Sequence, residues 1–155
     1  MARTVYIDLS AKLEQWTADT VIAMANGGET VLIIPANVKR AARDRLKEQD
    51  RHPRQDTVYV YRLLAGLVAL IVGPEIETID SIVIDDDYPG TGPAAAIKNE
   101  LIPLLKRQRQ TFIGKQVVFQ RVKGSRADKL ARRVFRAKQR EGRIITLQEI
   151  LAVWE

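Results

Sequence analysis

Acidic side chains occur at three separated places where strands and helices are predicted to end or begin. Asp8 lies in a predicted first strand, the run Asp85-Asp86-Asp87 closes a predicted central strand, and Asp128 opens a predicted helix. In an open α/β sheet, ligands gather beyond the carboxyl ends of the strands, and carboxylates that meet there repel one another unless a cation joins them. Hard oxygen ligands suit Mg²⁺ or Mn²⁺. We therefore predict a divalent metal site, for which the candidate ligands are Asp8, Asp85, Asp86 and Asp128.

Two ions held by such carboxylates can clamp a phosphodiester, activate a water molecule and stabilise the leaving oxygen during in-line displacement. This is the chemistry of a metal-dependent nuclease, and the predicted catalytic residues are Asp8, Asp86 and Asp128. Side chains alternate between faces along a strand, so either Asp86 or the pair Asp85 and Asp87 faces Asp8. We favour Asp86 as the partner of Asp8, and Asp85 is the close alternative.

Each acidic position also has a structural explanation that involves no metal. Asp8 can end a strand by pairing with an arginine or by accepting backbone N–H groups. Aspartates that precede Pro89-Gly90 are ordinary in loops, although three consecutive like charges repel one another. Asp128 stands three residues after Ser125, which is the spacing of a capping box, and an acid in the first turn suits the helix dipole. These explanations stay open beside the metal site.

Positive charge is concentrated in one stretch of the chain. The net charge is +6, but residues 106–143 carry 14 basic and two acidic residues (+12), and the rest carries 11 basic and 17 acidic residues (−6). Such a face suits a phosphate backbone, because each neutralised phosphate releases counterions; a solvated basic surface is the alternative. The nearby Phe119 and Phe135 have the pattern of core residues, so we predict backbone contacts rather than base stacking. The predicted contact residues are Arg121, Lys123, Arg126, Lys129, Arg132, Arg133 and Arg136.

Hydrophobic patterns predict strands alternating with helices, which is typical of an α/β fold with a largely parallel centre. The predicted strands are Thr4–Leu9, Thr30–Ile34, Ser81–Ile84 and Gln116–Val122, and residues 19–25 are ambiguous between strand and helix. The predicted helices are Val38–Gln49 capped by Asn37, the later part of Thr57–Val72, Pro93–Arg107, Arg126–Gln139 and a last one from Thr146 to Trp154. A length of 155 residues and the lack of a linker predict one domain, residues 1–155.

The last strand and the helix after it resemble the C-terminal part of ribonuclease H domains. The segment Val117-Val118-Phe119-Gln120-Arg121-Val122-Lys123-Gly124 is followed by Ala127-Asp128-Lys129-Leu130-Ala131-Arg132. In that family a last strand ends in a similar turn, and the aspartate that opens the next helix binds metal. The resemblance implies a ribonuclease H-like mixed sheet flanked by helices, with the first-strand Asp8, a fourth-strand Asp85 or Asp86, and Asp128 as metal ligands.

The chain also departs from the family pattern. Family nucleases place a glutamate on the first core helix, whereas the matching stretch Arg62–Leu67 contains no acid. Ser10-Ala11-Lys12-Leu13 replaces a glycine-rich stretch, and a helix that starts near Asn37 is inserted. A divergent nuclease that recruits Asp87 or another acid is one reading; a non-catalytic nucleic-acid-binding domain on the same fold is the other.

Composition and sequence patterns exclude or disfavour several other classes of protein. The chain has no cysteine, so disulfides and thiolate metal sites are excluded. No signal-peptide pattern is visible, and the apolar run Val58–Val72 contains Arg62, so we predict a buried element, no membrane contact and a cytoplasmic location. Asp85-x-Asp87 after a strand also occurs in sugar-nucleotide transferases, which we rank well below the nuclease. The oligomeric state is left open.

Overall fold

The structure, a computed structural model, describes residues 3–25, 29–112, 116–121, 127–129, 131 and 142–155. β-Branched and other apolar residues dominate most of its strands, as a half-buried sheet favours. The strands are β1 (Thr4–Ser10), β2 (Thr20–Ala25), β3 (Thr30–Ile34), β4 (Ser81–Asp85), β5 (Val117–Gln120) and β6 (Arg143–Ile144). Of residues 19–25, left ambiguous between strand and helix, all but the first therefore form a strand, β2.

The six strands form one mixed sheet in the order β5-β4-β1-β2-β3-β6. β1, β2 and β3 are joined as antiparallel neighbours. β4 lies parallel to β1 on its other side, β5 lies parallel to β4, and β6 lies parallel to β3. With its flanking helices the sheet makes an α/β fold, which confirms the predicted class.

The described residues include three long helices, α1 (Ala36–Gln49), α2 (Asp56–Val72) and α3 (Thr91–Gln108). α1 and α2 lie between β3 and β4 in the chain, and α3 follows β4. A 3₁₀ segment, Gly73–Thr78, extends α2, and a short C-terminal helix spans Leu147–Leu151. Apolar side chains of the helices pack with Val5, Ile7, Ile82 and Ile84 in the main hydrophobic core. These four side chains alternate along β1 and β4, so the intervening residues of both strands point to the opposite face.

The ends of two helices differ from the sequence prediction. The segment from Thr57, predicted to be helical only in its later part, is helical from Asp56, because Tyr59 and Val60 keep helical spacing with the buried Leu63 and extend its apolar face. α1 begins at Ala36, so Asn37 lies inside the helix rather than capping it. The N–H of Ala36 instead donates to Oδ1 of Asp19 at 2.9 Å, so a residue distant in sequence caps this helix.

The most apolar helix belongs to the core. The segment Asp56–Thr78 is long and apolar enough to cross a bilayer, with a mean hydropathy of 1.7 in its best window, of which 61% is buried inside the protein. Eleven residues of α2 are buried. A buried core helix accounts for this composition, and the cytoplasmic location remains a prediction.

The opposite face of the sheet carries a smaller apolar cluster of Val21, Ala23, Ile33 and Ala131. Residues 127–129 and 131 are helical. The remainder of the predicted helix Arg126–Gln139 lies outside the described residues. The two clusters show that helical segments cover both faces of the sheet, and that Ala131 belongs to the face opposite the main core.

The C-terminal helix starts at the predicted capping box. The Thr146 side chain accepts from the backbone N–H of Glu149, and the Glu149 carboxylate accepts from the backbone N–H of Thr146. A 3₁₀ turn, Ala152–Trp154, follows and places the Trp154 indole against Gly66 of α2. A Cβ at position 66 would lie 2.5 Å from Cη2 of Trp154, so a larger residue there would force the indole to shift.

We expect Gly66→Ala to destabilise the protein by about 1–2 kcal/mol, because the cost of overpacking exceeds the gain in helix propensity. Denaturant unfolding followed by tryptophan fluorescence measures the change. Gly92→Ala is the matched control, since no atom lies within 4 Å of a Cβ at that helical position. Equal stabilities of the two variants would show that the indole does not require a glycine at position 66.

Candidate carboxylate site

The register of two parallel strands brings two of the predicted ligands side by side. Ile7 of β1 pairs with Ile84 of β4, so the next residues, Asp8 and Asp85, are neighbours at the carboxyl ends of adjacent strands. Ile7 and Ile84 both belong to the main core. Asp8 and Asp85 therefore point together to the opposite face of the sheet.

Asp87 completes a group of three carboxylates. One carboxylate oxygen each from Asp8, Asp85 and Asp87 lies within 4.8 Å of the other two, a spacing that lets a single ion contact all three. Asp8 is buried, with 4% of its surface exposed, and the other two are half-buried. These residues can hold a metal ion, and carboxylate oxygens are the ligands that Mg²⁺ and Mn²⁺ prefer.

Asp128 joins this group from a helical segment on the same face of the sheet. Asp128 is 6% exposed and belongs to the helical residues 127–129. Its carboxyl group is hydrogen-bonded to that of Asp8. Residues 120 positions apart in the chain are thus in contact near the carboxyl end of β1. Ser125, the partner in the alternative capping-box explanation, lies outside the described residues.

The structure selects the alternative face for the aspartate triplet. We favoured Asp86 as the partner of Asp8, but Asp85 and Asp87 are grouped with Asp8, and Asp86 is exposed. The reason is the register: Asp86 has the same strand parity as Ile84, which faces the main core, whereas Asp8 faces away from it. Asp86 still lines the surrounding cavity.

The environment of Asp8 disfavours its charged form. Burial raises the pKa of Asp8 from 3.8 to about 8, and the hydrogen bond to Asp128 and the charges of Asp85 and Asp87 act in the same direction. The raised pKa means that the folded protein favours the protonated form of Asp8, as expected where buried carboxyl groups lie close together. Strongly shifted pKa values of this kind are typical of functional sites.

Asp87 is shifted in the same direction. Burial raises its pKa from 3.8 to about 7, the hydrogen bond and charge of Asp85 add to this, and the nearby ammonium group of Lys12 opposes it. The charge of Glu14 raises the pKa of Asp87 slightly, and the carboxylate of Glu14 accepts a hydrogen bond from the Tyr88 hydroxyl at 3.1 Å. The segment after β1 therefore places one cation and one acid close to the carboxylates.

The carboxylates open into a cavity of about 600 Å³. One wall is formed by the end of β1 and the residues after it, and another by the aspartate triplet at the end of β4. The lining residues are Asp8, Leu9, Ser10, Ala11, Lys12, Gln15, Asp85, Asp86, Asp87, Arg121 and Asp128. Lys12 and Gln15 were not among the predicted site residues, and only their position after the first-strand aspartate could have pointed to them.

Two of the seven predicted nucleic-acid contacts are described. Arg121 follows β5, is exposed and lines the cavity, and Lys129 is exposed on the helical residues. Lys123, Arg126, Arg132, Arg133 and Arg136 lie outside the described residues. The basic face therefore remains a prediction, in which Arg121 is the residue that the structure places beside the carboxylates.

Helix α2, which matches the first core helix of ribonuclease H domains by the sequence resemblance, supplies no acid to this site. The stretch Arg62–Leu67, where family nucleases carry a glutamate, begins with an arginine that pairs with Asp50 at 3.4 Å and with Glu100 at 3.7 Å. Within the described residues, the third member of the metal-sized group is instead Asp87, from the segment directly after β4. The acids of this site therefore come from different elements than those of the ribonuclease H nucleases that the sequence resembles.

Comparisons with known proteins add no relative. No protein-family model matches the chain, and neither the curated proteins nor the solved structures contain a significant match.

Proposed function

We propose that the protein is a divalent-metal-dependent nuclease that hydrolyses nucleic-acid phosphodiesters. The observation that carries the proposal is the convergence of Asp8, Asp85 and Asp87, with oxygens within 4.8 Å of one another, in a cavity that Arg121 also lines. Carboxylates that share so small a space suit a hard cation, and a guanidinium at the same cavity suits a phosphate.

Asp8, Asp85 and Asp87 are the residues that would hold Mg²⁺ or Mn²⁺, and Asp128 would join them through its contact with Asp8. The bound ion supplies a nucleophilic water and stabilises charge on the phosphate oxygens. Arg121 and Lys12 would orient the substrate, since both line the cavity beside the acids. Burial of Asp8 keeps its carboxylate away from competing water, which strengthens its interaction with a cation.

The sheet supports a ribonuclease H-like arrangement as part of this proposal. An antiparallel β1-β2-β3 unit is followed, beyond the helices, by β4 and β5 parallel to β1, with the acids at the ends of β1 and β4. Asp128 lies in helical residues on the face to which Asp8 and Asp85 point, which is opposite the main core. This order is compatible with the resemblance carried by the segment around Ala127 and Asp128.

Cleavage of labelled single-stranded, duplex, hairpin and branched DNA and RNA in Mn²⁺ tests the proposal. We expect cleavage of at least one substrate, abolished by EDTA and reduced at least about 100-fold by Asp85→Asn, because ligand loss weakens the metal site at least as much as loss of an outer-shell partner. Asp86→Asn is the matched variant, because it removes the charge of the residue next to Asp85, which alternates to the other face of the strand. We expect it to retain activity within a few-fold; a larger loss with Asp86→Asn than with Asp85→Asn would contradict our assignment of ligands.

A non-catalytic nucleic-acid-binding domain is the second candidate, and the absence of an acid in Arg62–Leu67 favours it. This candidate predicts binding to the same nucleic acids without Mn²⁺-dependent cleavage. Affinity that falls steeply with salt concentration and is unchanged by Asp85→Asn would support it over the nuclease.

A further inference from the structure

The inserted helix α1 carries a lysine that no part of the proposed reaction uses. Lys39 has no exposed surface, and with Ala42 and Leu46 it forms the buried side of α1. Its ammonium group donates to the carbonyl of Gln15 at 2.8 Å, to Oγ1 of Thr20 at 2.9 Å and to the carbonyl of Leu13 at 3.4 Å. All three acceptors belong to the connection between β1 and β2 or to the first residue of β2.

Two arginines of the same helix contact this connection, residues 11–19, which we call the β1–β2 loop. Arg40 donates from Nη1 to the carbonyl of Trp16 at 2.7 Å, and the Arg43 guanidinium lies 4.6 Å from the centre of the Trp16 ring. The loop in turn caps α1, because Oδ1 of Asp19 accepts from the N–H of Ala36. The loop and the helix therefore hold each other at several points.

The other side of the β1–β2 loop is a wall of the carboxylate cavity. Ala11, Lys12 and Gln15 line the cavity, and the Lys12 charge is close enough to lower the pKa of Asp87. Gln15 connects the two sides directly: its carbonyl accepts from Lys39, and the residue itself faces the cavity. Ala11 holds a positive φ of 67°, a conformation that a non-glycine residue keeps only where its surroundings enforce it.

Burying an ammonium group is costly unless hydrogen bonds compensate it. An apolar side chain would fill the same space without that cost, so what Lys39 adds is a set of directed hydrogen bonds that fixes the loop backbone. A backbone fixed in this way presents Lys12 and Gln15 in one arrangement, which lowers the entropy lost when a substrate binds.

We propose that Lys39 is a positioning residue, which fixes the β1–β2 loop so that Lys12 and Gln15 hold the nucleic-acid backbone against the carboxylate site. The inference rests on the proposed nuclease function. In this proposal the inserted helix α1 holds one wall of the cavity in place. The carboxylates hold the metal ion, and the β1–β2 loop holds the substrate.

The test compares Lys39→Met with Arg40→Gln, which removes one donor from the loop at a half-exposed position. Arg45→Gln is the matched control, since it removes a charge from the exposed side of the same helix. We measure steady-state cleavage of the best substrate in Mn²⁺, Mn²⁺ affinity by calorimetry, and hydrogen exchange of the loop amides.

For Lys39→Met we expect KM to rise on the order of tenfold, with kcat and Mn²⁺ affinity within about threefold of the wild type and faster exchange in residues 11–19. Arg40→Gln should change KM in the same direction by about threefold, and Arg45→Gln should change nothing. If Lys39→Met does not fold, Arg40→Gln carries the same test.

An unchanged KM in both variants, or exchange in the loop as slow as in the wild type, would overturn the role of Lys39 while leaving the nuclease intact. A general loss of Mn²⁺ affinity and kcat with unchanged KM would overturn it as well, because it would indicate damage to the metal site. A wild type that neither binds Mn²⁺ nor cleaves would instead overturn the proposed function, independently of any α1 variant.

Discussion

Replacing Asp8 by asparagine is expected to abolish tight Mn²⁺ binding and to reduce cleavage at least about 100-fold. Loss of a group that only hydrogen-bonds to a metal ligand already lowers metal affinity or activity about 10–100-fold, and loss of a ligand should cost at least as much. Asp8 is the most buried member of the cluster and is in contact with Asp128 as well as grouped with Asp85 and Asp87. An amide keeps the shape of the carboxyl group but removes its charge. Calorimetric titration with Mn²⁺ and single-turnover cleavage measure the two losses.

The same variant is expected to be more stable than the wild type in the absence of metal, by about 1–2 kcal/mol near pH 8. The wild-type protein must place a buried carboxyl group beside two others, and the asparagine avoids this repulsion. Denaturant unfolding in EDTA measures the gain. Asp86→Asn is the control, because it removes a charge from the exposed neighbour of Asp85.

An Asp8→Asn variant that bound Mn²⁺ as tightly as the wild type would contradict the assignment of Asp8 as a ligand. A variant that lost metal binding but was less stable at pH 8 would contradict the electrostatic account of the site. The opposite signs expected for stability and for activity distinguish a functional cluster from a merely structural one.

The second large effect is a loss of stability as the pH rises when no metal is present. The pKa of Asp8 is raised in the folded protein from 3.8 to about 8. Below about pH 4 both the folded and the unfolded chain hold this proton, and the contribution to stability is fully present. Between about pH 4 and pH 8 the unfolded chain has released the proton that the folded chain still holds, so the free energy of unfolding falls, and the loss is complete above about pH 8.

Asp87 acts in the same direction, since its pKa is raised to about 7 in the folded protein. Each unit of pKa difference corresponds to about 1.4 kcal/mol, so we expect the two groups to lower the free energy of unfolding by a few kcal/mol between pH 5 and pH 8.5 in EDTA. Asp50, Asp56 and Glu149, whose pKa values are lowered by ion pairs and hydrogen bonds, affect stability below this range. The interval from pH 5 to pH 8.5 lies above the range in which these three groups act. Burial lowers the pKa of Lys39 to about 8, so this lysine raises the free energy of unfolding with pH only at the upper end of the interval.

Unfolding curves at steps of half a pH unit measure this dependence, and Asp8→Asn serves as the comparison. The variant should lose the part of the slope that belongs to Asp8 and keep the part that ends near pH 7. Saturating Mn²⁺ should remove most of the slope in the wild type, because metal binding displaces the protons and strengthens with pH. A wild-type stability that stayed flat, or rose, over this interval in EDTA would contradict the raised pKa values.

Several parts of the fold and of the site were predictable because they depend on short-range patterns. Asp8, near the end of β1, and Asp85, at the end of β4, directly follow the apolar runs Val5–Ile7 and Ile82–Ile84. The capping box at Thr146 and Glu149 is a local arrangement, and the structure has it where the spacing predicts. Helical and strand periods, caps and chain breaks all act within a few residues, so they can be read without knowing the fold.

Which aspartate of the triplet faces Asp8 was decided by a long-range relation. Alternation shows that Asp86 opposes Asp85 and Asp87, but it does not show which of the two faces is the one that Asp8 occupies. The pairing of Ile7 with Ile84 settles that choice, and this register depends on how both isoleucines pack in the core. A shift by one residue would have reversed the result.

The sequence alone thus determined the kind and order of most elements and the acidic chemistry available at their ends, but it left β2 ambiguous and did not predict β6. The tertiary structure decided which of those acids share a site. It also decided that the Lys39 side chain of α1 is buried against the β1–β2 loop and that Lys12 and Gln15 form a wall of the cavity. The physical reason is range: propensities and periodicity act between near neighbours in the chain. Register, burial and the pKa values of clustered carboxyl groups depend on packing between residues far apart in it.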